Sequence, residues 1–143
     1  MTLYISAIDE TSIKALKAAF IYLLISLFCI LFGAIYEVFS HEVYSFYMIY
    51  AFIFPLAGGV LPFLKIALSN TGVYPGIAAR IIYNSGIATL TVGSILRGIL
   101  DIYGTSNHLL IVYWIAGTAL TIVGAMLIKQ WSINDLLYRI INN

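Results

Sequence analysis

Charge is rationed along this chain, and the gaps between charges constrain the fold more than any other feature. No charged side chain occurs from Ala18 to Tyr36, from Val43 to Leu64, or between Asp101 and Lys129. A helix rises about 1.5 Å per residue, so about 20 uncharged, mostly apolar residues cross a hydrocarbon layer about 30 Å thick. A water-soluble domain of 143 residues has no interior large enough for such runs. The composition agrees: 62% of residues are hydrophobic and 9% charged, against about 45–50% and about 25% in soluble domains. The expected fold is all-α: a polytopic membrane protein whose four transmembrane helices form a bundle in one domain, residues 1–143. The spans fall at about 18–36, 43–64, 77–102 and 109–128.

The first run is longer than the apolar stretch of a signal peptide and reads as a retained helix. The third run contains Arg80, Arg97 and Asp101. The two arginines are about 25 Å apart along a helix axis, near opposite edges of the hydrocarbon, where both reach the headgroups. With four spans, Lys14, Lys17, Lys65, Arg80, Lys129 and Arg139 share one side. The other side holds Arg97 with Glu37, Glu42 and Asp101. Basic residues mark the cytoplasmic side, so both termini are expected there, in a bacterial inner (cell) membrane crossed several times.

After Trp131, Ser132 suits a helix N-cap with Asp135 three residues on. Ile133, Leu136, Leu137, Ile140 and Ile141 recur at helical spacing, which predicts a separate amphipathic helix over about 132–141, lying on the membrane surface. Residues before Lys17 suggest a similar approach helix. In the second span, Pro55, Gly58, Gly59 and Pro62 predict a kink, because proline removes a backbone donor and crowds the preceding turn. Small residues every fourth position, Ser85, Thr89 and Gly93 on span three and Gly117, Thr121 and Ala125 on span four, predict a close helix–helix seam.

A polar stripe follows the third span. At about 100° per residue, Asn84, Thr91, Ser94, Gly98 and Asp101 fall within about 60° of Arg80, with Arg97 at the margin and the small-residue face nearly opposite. Polar groups facing lipid cost free energy, so the stripe is expected to face protein or a water-filled path. At the other side, Glu37, His41, Glu42 and His108 form a candidate cluster for a divalent metal or a pH response, although their spacing matches no metal motif. Ordinary solvated loop residues are the favoured reading of them.

Chemistry is otherwise sparse. The one cysteine, Cys29, makes neither an internal disulfide nor a thiol pair. There is no Ser-His-Asp order, no metal-ligand set and no cofactor motif, so no metal or cofactor is expected and an enzyme ranks last. A net charge of +1 without a basic run gives no footprint for nucleic acid. The stretch Tyr83–Gly104 (YNSGIATLTVGSILRGILDIYG) resembles segments of small, uncharacterised bacterial membrane proteins with four helices. In size the chain is similar to small four-helix multidrug transporters, but it has no carboxylate between Ala18 and Tyr36, so their proton-coupled mechanism is not implied. The partners expected are the lipid bilayer and either further copies of the chain, as a homo-oligomer, or another membrane protein. The leading expectation is an accessory or structural membrane subunit. The alternative is an oligomeric channel or transporter for an ion or small solute, lined by the polar stripe.

Overall fold

The structure, a computed structural model, describes residues 2–41, 43–69 and 73–141, with side chains from residue 10 onward except that of residue 139. Helix α1 runs Thr2–Phe39. Next comes an interrupted segment: α2 (Phe46–Ile49), α3 (Ile53–Pro55), a π-helical turn (Leu56–Val60) and α4 (Leu61–Leu68). Helix α5 spans Ile77–Ile102, and a 3₁₀ turn (His108–Leu110) leads into α6, Ile111–Ile141. No strand occurs among the described residues. Four stretches are long and apolar enough to cross a membrane: Glu10–Phe39, Phe46–Leu68, Ile77–Ile102 and His108–Tyr138.

Two expected surface helices do not form as separate elements. The segment before Lys17 is the beginning of α1, and residues 132–141 are the last turns of α6, with no new start at Ser132. Neither Gly nor Pro occurs between Thr2 and Phe32 or between Ala125 and Ile141. Nothing therefore forces the backbone out of helical angles at those points.

The interrupted segment has the opposite composition. In α-helical register the N–H of residue 62 would bond the Gly58 carbonyl, but Pro62 has none. Leu56–Val60 relaxes into a wider turn, and Pro62 then occupies the first turn of α4, a position that tolerates proline but leaves the Gly58 carbonyl to find another donor. Gly58 and Gly59 also allow close approach of their neighbours. A Cβ at Gly59 would lie 2.1 Å from the Tyr22 ring, and one at Gly58 would lie 2.3 Å from the Ile87 side chain.

Packing is inverted relative to a soluble protein. On α1 the buried positions are Ala15, Ala19, Tyr22, Ser26, Cys29 and Gly33, alternating steps of four and three. Leu16, Phe20, Leu24, Leu27, Phe28 and Leu31 point outward. Small and weakly polar residues thus form the seam that meets α4 and the π turn. A seven-residue repeat keeps such a seam facing its neighbour when the paired helices wind gently around each other.

Helix α5 is central and carries two seams. Gly86, Leu90 and Gly93 meet α6, at Thr121, Gly117 and Tyr113 respectively. A Cβ at Gly86 would fall 2.5 Å from the Thr121 backbone nitrogen, and one at Gly124 would fall 2.5 Å from the Tyr83 Cα. These two backbones are therefore in direct contact along an antiparallel pair. About 90° around α5, Ile87, Ser94 and Gly98 meet the interrupted segment, at Gly58, Tyr47 and Met48. Close helix approaches follow chain order, first to second, second to third and third to fourth.

Candidate functional site

The polar stripe of α5 is where functional side chains were expected, and its members have separate destinations. In the first third of α5, the Tyr22 hydroxyl donates to Asn84 Oδ1 at 2.7 Å. The adjacent Tyr83 hydroxyl donates to the Gly58 carbonyl at 2.7 Å, the acceptor that Pro62 leaves without its helical donor. The Tyr22 ring stacks on Phe63, with centroids 5.8 Å apart. Tyr22, Tyr83, Ala19, Phe63 and Ile87 make one buried cluster.

One stripe position nearer the third loop repeats this arrangement. After α2 the Ala51 N–H turns to the Met48 carbonyl instead of that of Tyr47. The freed Tyr47 carbonyl receives the Ser94 hydroxyl at 2.7 Å. Two carbonyls released by breaks in the second segment are therefore both taken by hydroxyls of α5. An unpaired carbonyl in an apolar interior costs several kcal/mol at most and about 1–3 kcal/mol in measured substitutions. This pairing is what lets an irregular backbone sit among apolar helices.

The ends differ in charge. At the acidic end, where α1 and α5 finish, Arg97 Nε lies 3.1 Å from Asp101 Oδ1, close enough for an ion pair but not aligned as a hydrogen bond. The buried Ser45 hydroxyl donates to Asp101 Oδ2 at 3.2 Å. The Arg97 guanidinium lies over the Tyr47 ring, 5.6 Å from its centre. Beside it opens a cleft of about 520 Å³ walled by Tyr47, Leu110 and Trp114, with His108 at its edge. At the basic end, Arg80 turns back to its own loop: Nε donates to the Pro75 carbonyl at 3.0 Å and Nη1 to the Tyr74 hydroxyl at 3.3 Å. Thr91 donates to the Ile87 carbonyl within its own helix.

The six stripe residues thus divide among a loop anchor (Arg80), a tyrosine partner (Asn84), an intrahelical bond (Thr91), a carbonyl cap (Ser94) and an ion pair (Arg97, Asp101). Asn84 keeps much of its surface open. Of the small residues expected at the seam, Gly93, Gly117 and Thr121 lie in it. Ser85 and Ala125 are exposed, and the half-buried Thr89 donates to the Ser85 carbonyl. The seam runs one residue over, through Gly86 and Gly124, and lies beside the polar face rather than opposite it. A glycine leaves room for a neighbouring backbone, whereas a threonine that bonds its own helix still projects a methyl group.

Pro55, Gly58, Gly59 and Pro62 all fall in the interrupted segment. Of the acidic-end cluster, Glu42 lies outside the described residues. His41 is exposed with φ of 54°, a left-handed conformation that reverses the chain after α1. Glu37 is half-buried and His108 exposed at the cleft. Among the described residues no three His, Cys, Asp or Glu side chains come together as a metal site.

Tyr22, Tyr83, Ser45 and Tyr47 are the contributors missed by sequence reasoning. Tyrosines read most simply as membrane-interface residues. The signal that could have found Tyr22 is the four–three spacing of Ala15, Ala19, Tyr22, Ser26, Cys29 and Gly33 within a run of Leu, Ile and Phe. The chain matches no protein-family model, no curated protein and no solved structure.

Proposed function

We propose that the chain is an integral membrane protein crossing the bilayer four times, with both termini on the cytoplasmic side, that acts through its helix faces as an accessory or structural subunit. The observation that carries this reading is the employment of the α5 polar face. Tyr83 and Ser94 cap carbonyls of the second segment, and Asn84, Asp101 and Arg80 each have a partner within the chain. Groups committed to such bonds are not a lining for solutes.

The exterior supports the same reading. Helix α6 uses one glycine-bearing face against α5 and leaves Ile115, Ile122, Val123 and Met126 exposed. At about 46 Å, α6 exceeds a hydrocarbon layer about 30 Å thick, so its last turns carry Lys129, Trp131 and Asp135 beyond the apolar zone. The Asn84 carboxamide, open on one side, offers donors to a helix of a partner or of a second copy.

A channel or transporter built from several copies is the second reading, and the exposed carboxamide of Asn84 is what favours it. Native mass spectrometry after mild detergent extraction separates the two. A stoichiometric foreign membrane protein is expected. A homo-oligomer alone, with solute flux into vesicles abolished by Asn84→Leu, would establish the channel instead. Reporter fusions at each terminus test the orientation.

A further inference from the structure

At the basic end, a cleft of about 360 Å³ opens between the end of α4, the segment entering α5 and the last turns of α6. Its polar rim is Lys65, Lys129, Ser69 and Ser132, with Trp131 as one wall. Ile66 and Ile128 are among the apolar side chains beneath. Among the described residues no carboxylate lines it, and neither ammonium has an ion-pair partner. Asp135, one helical turn past Trp131, is not part of the lining. Trp131 leans on the start of α5, where a Cβ on Gly76 would meet its ring at 3.2 Å, yet half of its surface is open.

We infer that this cleft binds the phosphate headgroup of an anionic glycerophospholipid, with the acyl chains following the apolar floor toward the bilayer interior. Charge complementarity decides the occupant: two unopposed lysines, from segments far apart in sequence, flank one opening. An indole at headgroup depth completes the pattern of a basic pocket between membrane helices. A zwitterionic lipid leaves both ammonium charges unbalanced, and a soluble anion makes no use of the floor. Each lysine near an anionic lipid contributes severalfold in affinity, so the pair gives roughly tenfold or more.

The inference rests on the bilayer reading, and the experiment separates the two. The detergent-purified chain is titrated with phosphatidylglycerol and with phosphatidylcholine, and retained lipid is counted by native mass spectrometry. One phosphatidylglycerol per chain is expected, preferred by about tenfold or more over phosphatidylcholine. The preference is lost in Lys65→Gln/Lys129→Gln and kept in Lys17→Gln. A Trp114→Phe background, with Trp131 as the remaining indole, gives a second readout: brominated phosphatidylglycerol quenches it, and the double lysine substitution removes the quenching while circular dichroism stays unchanged. Equal retention of both lipids, or full retention by the double variant, overturns the proposal. So does displacement of the lipid by millimolar inorganic phosphate. Release of the chain from membranes by alkaline carbonate overturns the bilayer reading itself, whatever the lipid result.

Discussion

The second segment and α6 meet α5 on neighbouring faces and solve the same problem in contrary ways. Helix α6 is 31 residues without interruption, so its backbone is satisfied from within. It needs only a close fit, and Gly117 and Gly124 provide one against α5. The second segment breaks twice within 23 residues and releases carbonyls that only other helices can bond. A regular helix can therefore stand at the edge of the molecule with most of its surface outward, whereas a broken one has to lie between neighbours that complete it. Between these two stretches, which are nearly equal in mean hydropathy, the difference in position follows from backbone regularity.

The comparison breaks most visibly at the glycine contact. Gly124→Leu is expected to cost about 3 kcal/mol or more, because its Cβ would meet the Tyr83 backbone rather than a movable side chain. Unfolding in mixed detergent micelles measures it, and a loss below about 1 kcal/mol would show that α6 does not depend on the fit.

The carbonyl caps give the next largest effect. Tyr83→Phe should destabilise by about 1–3 kcal/mol, since it strands a buried acceptor. The sharper form is a double-mutant cycle with Pro62→Ala, which restores the N–H that Gly58 lacks. The cost of Tyr83→Phe should fall by about 1 kcal/mol or more in that background. Additive losses would mean that proline and tyrosine are not partners through Gly58.

Asn84→Leu removes the acceptor of the Tyr22 hydroxyl and should cost about 0.6–2 kcal/mol. Tyr22→Phe with Asn84→Leu should cost little more than either alone. Ile122→Ala, on the open face of α6, is expected to change stability by about 0.5 kcal/mol or less. A larger loss in the isolated chain would place α6 in more contact than its one seam.

Much of the architecture is legible in the charge gaps. They locate three of the four long apolar stretches, and in the other Arg80, Arg97 and Asp101 do not prevent the helix Ile77–Ile102 from forming where expected. The Pro and Gly residues of the second stretch announce its irregularity. The seams are harder to read. Regular spacing of four picks out Ser85 and Thr89, but the helices pair on a four–three repeat that the glycines at 86 and 93 mark only faintly among the alanines, serines and threonines around them. The roles of Tyr83 and Ser94 were illegible for another reason. Each serves a backbone carbonyl, and a carbonyl freed 25 or 47 residues upstream has no signature in the local sequence. The straight continuation of α6 past Ser132 turns on an absence of breakers, which a capping pattern obscures.

The capping of Gly58 by Tyr83 also has a bearing on how the chain is made. Synthesis proceeds from the N-terminus, so the second segment leaves the ribosome with α1 as its available companion. Its Tyr47 and Gly58 carbonyls stay unanswered until Ser94 and Tyr83 emerge. If the segment crosses a bilayer as proposed, during that interval two of its carbonyls would face lipid without a donor, a cost that delaying its release would avoid. On the proposed four-crossing topology, α5 is then more than a third crossing: its arrival completes the backbone hydrogen bonding of the second.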